Sequence, residues 1–310
     1  MTRFGDFDVL CRDTPSYTWC NLFYRQLLNK ASDVLSDASL PTASAGLGVN
    51  PVCAIPRTGH EGSLGNIANI VVCALSMVFT GVIIWVTNKR KAAVGRIELR
   101  TFLMLYFLTL PLQLITTGSF LEQGSTSLVA LTAIHAGLVA ALFWSLLANG
   151  LVATQVVEDG TPSSLVPFYF FAVAFFAATT YISLDVALSI TSVFGPSDPP
   201  QALHSVPLFV FTSIWPGVAT LLYFGIMTYI VLVVLNEVRP MWFYILSAAL
   251  FVLSQLAYFL LSRVICKGSS QKIDGSFVAT FLETAAVGVL YLAWKSITEE
   301  SWDDDAYYPQ

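Results

Sequence analysis

Residues 64–91 read LGNIANIVVCALSMVFTGVIIWVTNKRK, and this stretch decides the fold class. From Leu64 to Thr87 it carries no charged side chain, then turns abruptly basic at Lys89, Arg90 and Lys91. An α-helix rises about 1.5 Å per residue, so roughly 20 mostly apolar residues cross about 30 Å of hydrocarbon. A membrane β-barrel would instead need segments of about ten residues with alternating polarity, and this run is continuous. Six further runs of the same kind follow, which places spans at 64–87, 99–118, 128–154, 165–191, 206–235, 242–262 and 275–294. The loops between them are too short for another domain. The expected fold is all-α: a polytopic membrane protein with a seven-helix transmembrane bundle at 64–294, an N-terminal region at 1–63 and an acidic tail at 295–310.

Composition agrees with a chain solvated largely by lipid. Of its 310 residues 55% are hydrophobic and 11% charged, against about 25% charged in ordinary soluble proteins. The net charge of −5 says little about nucleic acid by itself, but the basic residues form no stripe, and no nucleic-acid partner is expected. The first sixty residues show no secretory signal peptide, so the first span is expected to act as the targeting signal. Lys89, Arg90, Lys91, Arg96 and Arg100 crowd the loop after it, and Arg239 and Lys295 fall on the same side. The positive-inside rule then sets the N-terminus in the lumen and the C-terminus in the cytosol. Trp85, Trp242 and Trp294 sit at the cytosolic interface as an aromatic belt. Cys11, Cys20, Cys53 and Cys266 all fall in lumenal segments, where an oxidising compartment favours two disulfides with three possible connectivities. Zinc is not expected, since no Cys-x-x-Cys pair or His cluster accompanies them. No Asn-x-Ser/Thr glycosylation acceptor occurs.

Before the first span, residues 21–32 have the pattern of a short helix, and 36–48 are rich in Ser, Ala and Gly and read as a linker. Pro111 and Pro216 are expected to bend the second and fifth spans. Ala136, Gly137, Ala140 and Ala141 let the third span approach its neighbours closely.

Ionisable residues at membrane depth are costly and are weighed one by one. His135 and Asp185 lie near 10 Å deep, at about 1.5 Å per residue, on consecutive spans, and are placed to pair. Glu283 stands near the middle of the seventh span. A proton or ion relay is one reading; a buried polar clasp that fixes packing is the favoured one, because the paired broken helices and repeat symmetry of transporters are absent. A retinal protein needs a mid-span lysine where this chain has only Lys295 at the end. A G-protein-coupled receptor would show Asp-Arg-Tyr after the third span, where Val156-Val157-Glu158-Asp159-Gly160 stands. A ceramidase-type amidase needs several buried histidines, and only His135 is buried. No catalytic, cofactor-binding or metal-binding residues emerge, and an enzyme is not expected. A seven-helix receptor or small-solute carrier is the alternative reading.

Two cytosolic features remain. Glu158, Asp159, Gly160 and Thr161 form an acidic turn where Lys or Arg would be usual, and they are candidates for partner contact. The tail carries Glu299, Glu300, Asp303, Asp304 and Asp305 among aromatics, a candidate export signal for a vesicle coat. It has no dilysine or Lys-Asp-Glu-Leu-type retrieval signal.

Four blocks in order along the chain carry a family likeness. They are Phe4-Gly5-Asp6-Phe7 through Cys11 and Cys20; Pro51-Val52-Cys53; Phe143-Trp144-Ser145-Leu146-Leu147-Ala148-Asn149-Gly150 running on to Glu158–Thr161; and Ile265-Cys266, Asp274-Gly275 and Trp294 with the Trp302-Asp303-Asp304-Asp305 tail. In these the chain resembles the fungal chitin synthase export chaperones. The third block is the most specific, because Trp, Asn and Glu-Asp-Gly at that spacing have no generic membrane explanation. The resemblance implies a non-enzymatic protein of the endoplasmic reticulum membrane that helps a chitin synthase catalytic subunit, itself a multi-span glycosyltransferase, to fold and leave for the cell surface, and travel with the client to that surface is a further expectation. Its expected working surface is the lipid-facing sides of the spans, the lumenal cysteines and the acidic turn.

Overall fold

The computed structural model describes residues 3–35, 45–59, 62–90, 93–191, 193–195 and 197–298. Seven helices in it are long and apolar enough to cross a membrane: Ile67–Lys89, Arg96–Thr117, Thr126–Ala153, Pro162–Leu188, Val206–Val234, Arg239–Gly268 and Gly275–Thr298. We refer to them as the first to seventh spans. Two short helices precede them, α1 (Asp8–Asp13) and α2 (Cys20–Lys30). Among the described residues there is no strand beyond an isolated bridge between Asp6 and His204.

Local chemistry sets the helix ends. The Asn66 side chain accepts from the Asn69 N–H at the start of the first span, and Ser125 does the same for Leu128 in the third. Pro162 opens the fourth span, where its missing N–H loses nothing. The sixth helix runs to Gly268, six residues past the hydropathy boundary at 262. Helical hydrogen bonding does not stop where lipid does, so the helix carries Arg263 and Lys267 into water. Pro216 lacks the N–H that would pair with Thr212. The fifth span meets this with a π-turn over Val210–Ile214, in which the Trp215 N–H reaches back five residues to Val210.

The first span shows how the bundle is sided. It buries Asn69, Cys73, Ser76, Thr80 and Thr87 and exposes Val71, Leu75, Val78, Val82 and Trp85. In lipid the apolar face is the solvent face and the polar stripe packs inward, since backbone and hydroxyl groups have no water to turn to. The first, second, third, fifth, sixth and seventh spans form a ring in that order, and the fourth lies outside it against the third. Spans five and six touch only sparsely. The third span is the hub. A methyl group on Gly137 would lie 2.1 Å from Thr180 Oγ1 and 2.7 Å from the Phe176 carbonyl oxygen of the fourth span, so the close approach depends on glycine. Gly137→Val is expected to destabilise by about 1–3 kcal/mol through overpacking, read as a lower thermal midpoint in detergent; an unchanged midpoint would disprove the tight crossing.

The segment before the first span shares a core with the bundle. Phe7, Cys11, Trp19, Leu22, Phe23 and Leu27 pack with Val129 and Ala136 of the third span, Ile182 and Val186 of the fourth and Leu208 of the fifth.

Candidate functional site

On the N-terminal face two disulfides fasten the chain. Cys11 is bonded to Cys20, and Cys53 to Cys266. The first closes the loop that joins α1 to α2. The second ties the segment before the first span to the end of the sixth. Beside it Asp274, fully buried, accepts from Asn66 Nδ2 at 3.1 Å, from the Ser276 N–H at 3.0 Å and from the Ser16 hydroxyl. Burial pushes the Asp274 carboxyl above its usual range, and the hydrogen bonds from Ser16, Ser276 and Asn66 oppose that shift. Asp274 thus joins the N-terminal region to the first and seventh spans. A smaller link pairs Asp6 Oδ1 with His204 Nδ1 at 2.8 Å.

His135 and Asp185 do not form the clasp expected of them. His135 Nδ1 lies 3.2 Å from Thr116 Oγ1, with its ring beside Trp19. Asp185 accepts from Thr191 N–H at 2.5 Å, Thr191 Oγ1 at 2.7 Å and Phe194 N–H at 3.1 Å, which fastens the loop after the fourth span. Equal depth on consecutive helices does not give a shared face, and the backbone donors of the adjacent loop take the carboxylate first.

The acidic turn is largely turned inward. Asp159 Oδ2 accepts from the Gly95 N–H at 2.8 Å, and the Gly160 N–H donates to Glu98 Oε1 at 3.0 Å. Thr161 Oγ1 donates to the Glu158 carbonyl at 2.7 Å. Glu98 is buried at the start of the second span and also accepts from Ser164 Oγ at 2.8 Å, while Asn149 Nδ2 donates to the Glu98 carbonyl at 3.3 Å. Trp144 Nε1 donates to the Phe168 carbonyl at 2.9 Å. The block from Phe143 to Thr161 is therefore a knot that joins spans two, three and four. Of its acidic side chains Glu158 alone is exposed. Sequence reading missed Glu98, which is hidden between Arg96 and Arg100; an acidic residue in a first helical turn was the available signal.

Between spans one, two and seven runs a polar ladder that the sequence reading also missed. Asn69 Nδ2 donates to Thr117 Oγ1 at 2.5 Å, Thr280 Oγ1 to Asn69 Oδ1 at 3.1 Å and Gln113 Nε2 to Thr280 Oγ1 at 2.7 Å. One turn on, Thr284 Oγ1 lies 2.8 Å from both Ser76 Oγ and the Tyr106 hydroxyl. These bonds join helices where lipid offers no hydrophobic drive to do so.

Inside the ring lies a cavity of about 410 Å³, walled by the second, third, fifth, sixth and seventh spans and roofed by Tyr17, Thr18 and Trp19. Glu283 faces it and accepts from Gln255 Nε2 at 3.0 Å, so it is not the isolated carboxyl that its position in the sequence suggested. Among the described residues no group of three His, Cys, Asp or Glu side chains is placed to hold a metal ion. Glu299, Glu300, Asp303, Asp304 and Asp305 lie outside the described residues.

Fold and site together define a polytopic all-α membrane protein whose polar groups are spent mainly on joining helices. The family model for chitin synthase export chaperones matches residues 3–307, and the chain belongs to that family. It is 30% identical over 305 residues to a chitin synthase export chaperone of Chaetomium globosum, covering 96% of this chain and 83% of that relative. A Neurospora crassa protein of the same description is 27% identical, covering 97% of this chain and 78% of the relative. One from Cryptococcus neoformans is 26% identical over 233 residues, covering 75% and 63%. No solved structure matches.

Proposed function

We propose that this chain is a non-catalytic chaperone that binds a chitin synthase catalytic subunit in the endoplasmic reticulum membrane and promotes its folding and export. Membership of the export chaperone family over nearly the whole chain carries the reading. The proposed topology puts the N-terminal face in the lumen. Two disulfides on that face support it, because such bonds persist in oxidising compartments. The basic residues of the opposite loops support it as well. A multi-span client exposes small and polar helix faces before it is assembled, and a rigid bundle with a wide apolar surface shields them.

Client contacts are proposed on the lipid-facing sides of the spans and on the exposed Glu158, with Asp159, Gly160 and Thr161 holding the turn in place. The decisive experiment is affinity purification in mild detergent with identification of the partner: a stoichiometric chitin synthase is expected, and its absence would sink the reading. Glu158→Ala is expected to weaken capture severalfold with no change in thermal midpoint. Asp159→Ala is expected to lower the midpoint, since it frees the Gly95 N–H. Undiminished capture by both variants would remove the turn from the contact surface. Deletion of residues 299–310 tests the tail: retention of the synthase inside the cell is expected if a vesicle coat reads it, and unchanged delivery would exclude that role.

A further inference from the structure

The cavity wall is incomplete on one side. Spans five and six meet at Tyr223 and Tyr244, whose ring centroids are 6.5 Å apart. Toward the N-terminal face Tyr17 enters between them, 6.1 Å from the Tyr258 ring and 5.8 Å from that of Phe259. Between these two points the spans touch only sparsely, and residues of both line the cavity. Gly217 on the fifth span is exposed and a side chain there would meet nothing within 4 Å, while Phe259 on the sixth is 38% exposed. Both residues line the cavity. Each span also carries a π-turn beside the opening, Val210–Ile214 in the fifth and Ala257–Leu261 in the sixth, and single π-turns inside α-helices recur at functional sites.

Glu283 stands behind this opening. It lies eight residues into the seventh span, about 12 Å along the helix from Gly275. Gln255 offers it one neutral donor. Among the residues lining the cavity there is no Lys or Arg, and the other titratable groups are His135 and three tyrosines. A carboxyl group at membrane depth calls for a partner, and this wall supplies no cation.

We propose that the opening between spans five and six receives a transmembrane segment of the client that bears a lysine or arginine, whose side chain enters the cavity and pairs with Glu283. This rests on the chaperone reading above and names the site through which it works. An occupant that arrives through the side of the bundle comes from within the bilayer. Lipid headgroups are held at the interface, whereas a basic residue on a helix is carried at the depth of Glu283. The cavity holds a long side chain but not a helix, so the client backbone rests at the mouth. There Gly217 permits the close approach that small residues give to membrane helix pairs. Release follows when assembly of the client supplies that basic residue with its own partner.

The test places a photo-crosslinking residue at Gly217, at Phe259 and, as a control on a lipid-facing surface of the first span, at Val78 in the full chain expressed with its synthase. Adducts to synthase transmembrane peptides containing Lys or Arg are expected from 217 and 259, whereas client contact at the lipid-facing 78 is expected to give adducts to peptides without a basic residue. Glu283→Gln is expected to lower their yield by roughly three- to tenfold, with Glu283→Asp retaining part of it; gel filtration of each variant verifies folding. Adducts to lipid alone, equal adducts to the basic peptides from Val78, or a yield indifferent to Glu283→Gln would overturn the proposal. So would a small cation retained in native mass spectrometry of the purified protein without the synthase. Intact co-purification without adducts at 217 and 259 would reject this docking site alone, while failure of the unsubstituted protein to capture the synthase would reject the chaperone reading itself.

Discussion

Removal of the Cys53–Cys266 bond is expected to destabilise the protein more than removal of Cys11–Cys20. The two bonds join residues 213 and 9 apart in sequence. Loop-closure entropy grows with the logarithm of that separation, and the chain-entropy relation gives about 5 and about 3 kcal/mol respectively. The longer loop contains the first five spans and nearly all of the sixth. Inserted helices stay in the bilayer when packing is lost, so the unfolded chain is already restrained, and the larger figure falls toward the middle of the measured range of about 2–5 kcal/mol. Burial does not separate the two bonds, since Cys11, Cys20 and Cys266 are all fully buried, so the order rests on loop length and on the helix of Cys266 leading into the Asp274 junction. The expected result is a thermal midpoint that falls further for Cys53→Ser than for Cys11→Ser, with reductant bringing the wild type to the double variant. A larger fall for Cys11→Ser would contradict it. Alkylation with a bulky maleimide in intact microsomes, before and after reduction, reports at the same time whether this face is oxidised in the cell.

How much of this was readable from residues follows from what a sequence encodes. Hydropathy gave all seven helices because lipid imposes one length and one composition on a span. It misplaced the end of the sixth, since helix geometry continues past the hydrocarbon. Depth was readable too, by counting from the span ends, but direction around the helix was not, and so His135 was matched with Asp185 although their partners are Thr116 and Thr191. Direction was available in one place. Asn69, Cys73, Ser76, Thr80 and Thr87 recur at helical spacing and mark the inward face of the first span, a stripe overlooked because serines and threonines in spans are commonplace. The Phe143–Gly150 and Glu158–Thr161 blocks stood out in the sequence, but their tie to Glu98 needed the fold, since Glu98 and Asn149 are 51 positions apart. The cavity was not readable at all: it exists because spans five and six diverge, and no local pattern encodes a missing contact.

Asp274→Ala is expected to loosen the whole N-terminal face. The substitution leaves the Ser276 N–H and the Ser16 hydroxyl in a buried site without their acceptor, while the Asn66 amide keeps only Ser276 Oγ at 3.1 Å. A buried donor left unsatisfied costs about 1–3 kcal/mol, so the two together come to roughly 2–6 kcal/mol, and less where water enters. Asp274→Asn separates shape from charge, because it keeps one of the two acceptor oxygens in nearly the same shape and removes the titration. The sign of the pH effect follows from burial, which raises the folded carboxyl above its unfolded value of about 4. The stabilisation belonging to the protonated acid is complete below about pH 4 and is lost as pH rises through the raised folded value. Relative to Asp274→Asn, the wild type should therefore lose thermal stability as pH increases across that window. Asp6 acts in the opposite sense. Its slight burial alone would raise it, but the Arg3 N–H and His204 outweigh this and hold it below the usual range, so its contribution is present above about pH 4 and lost on acidification. Thermal midpoints of wild type, Asp274→Asn and Asp6→Asn from pH 4 to pH 8 distinguish the two slopes. If the difference between wild type and Asp274→Asn does not vary with pH, the carboxyl is not raised in the folded state, and the junction of Ser16, Asn66 and Ser276 holds an anion stabilised by its donors.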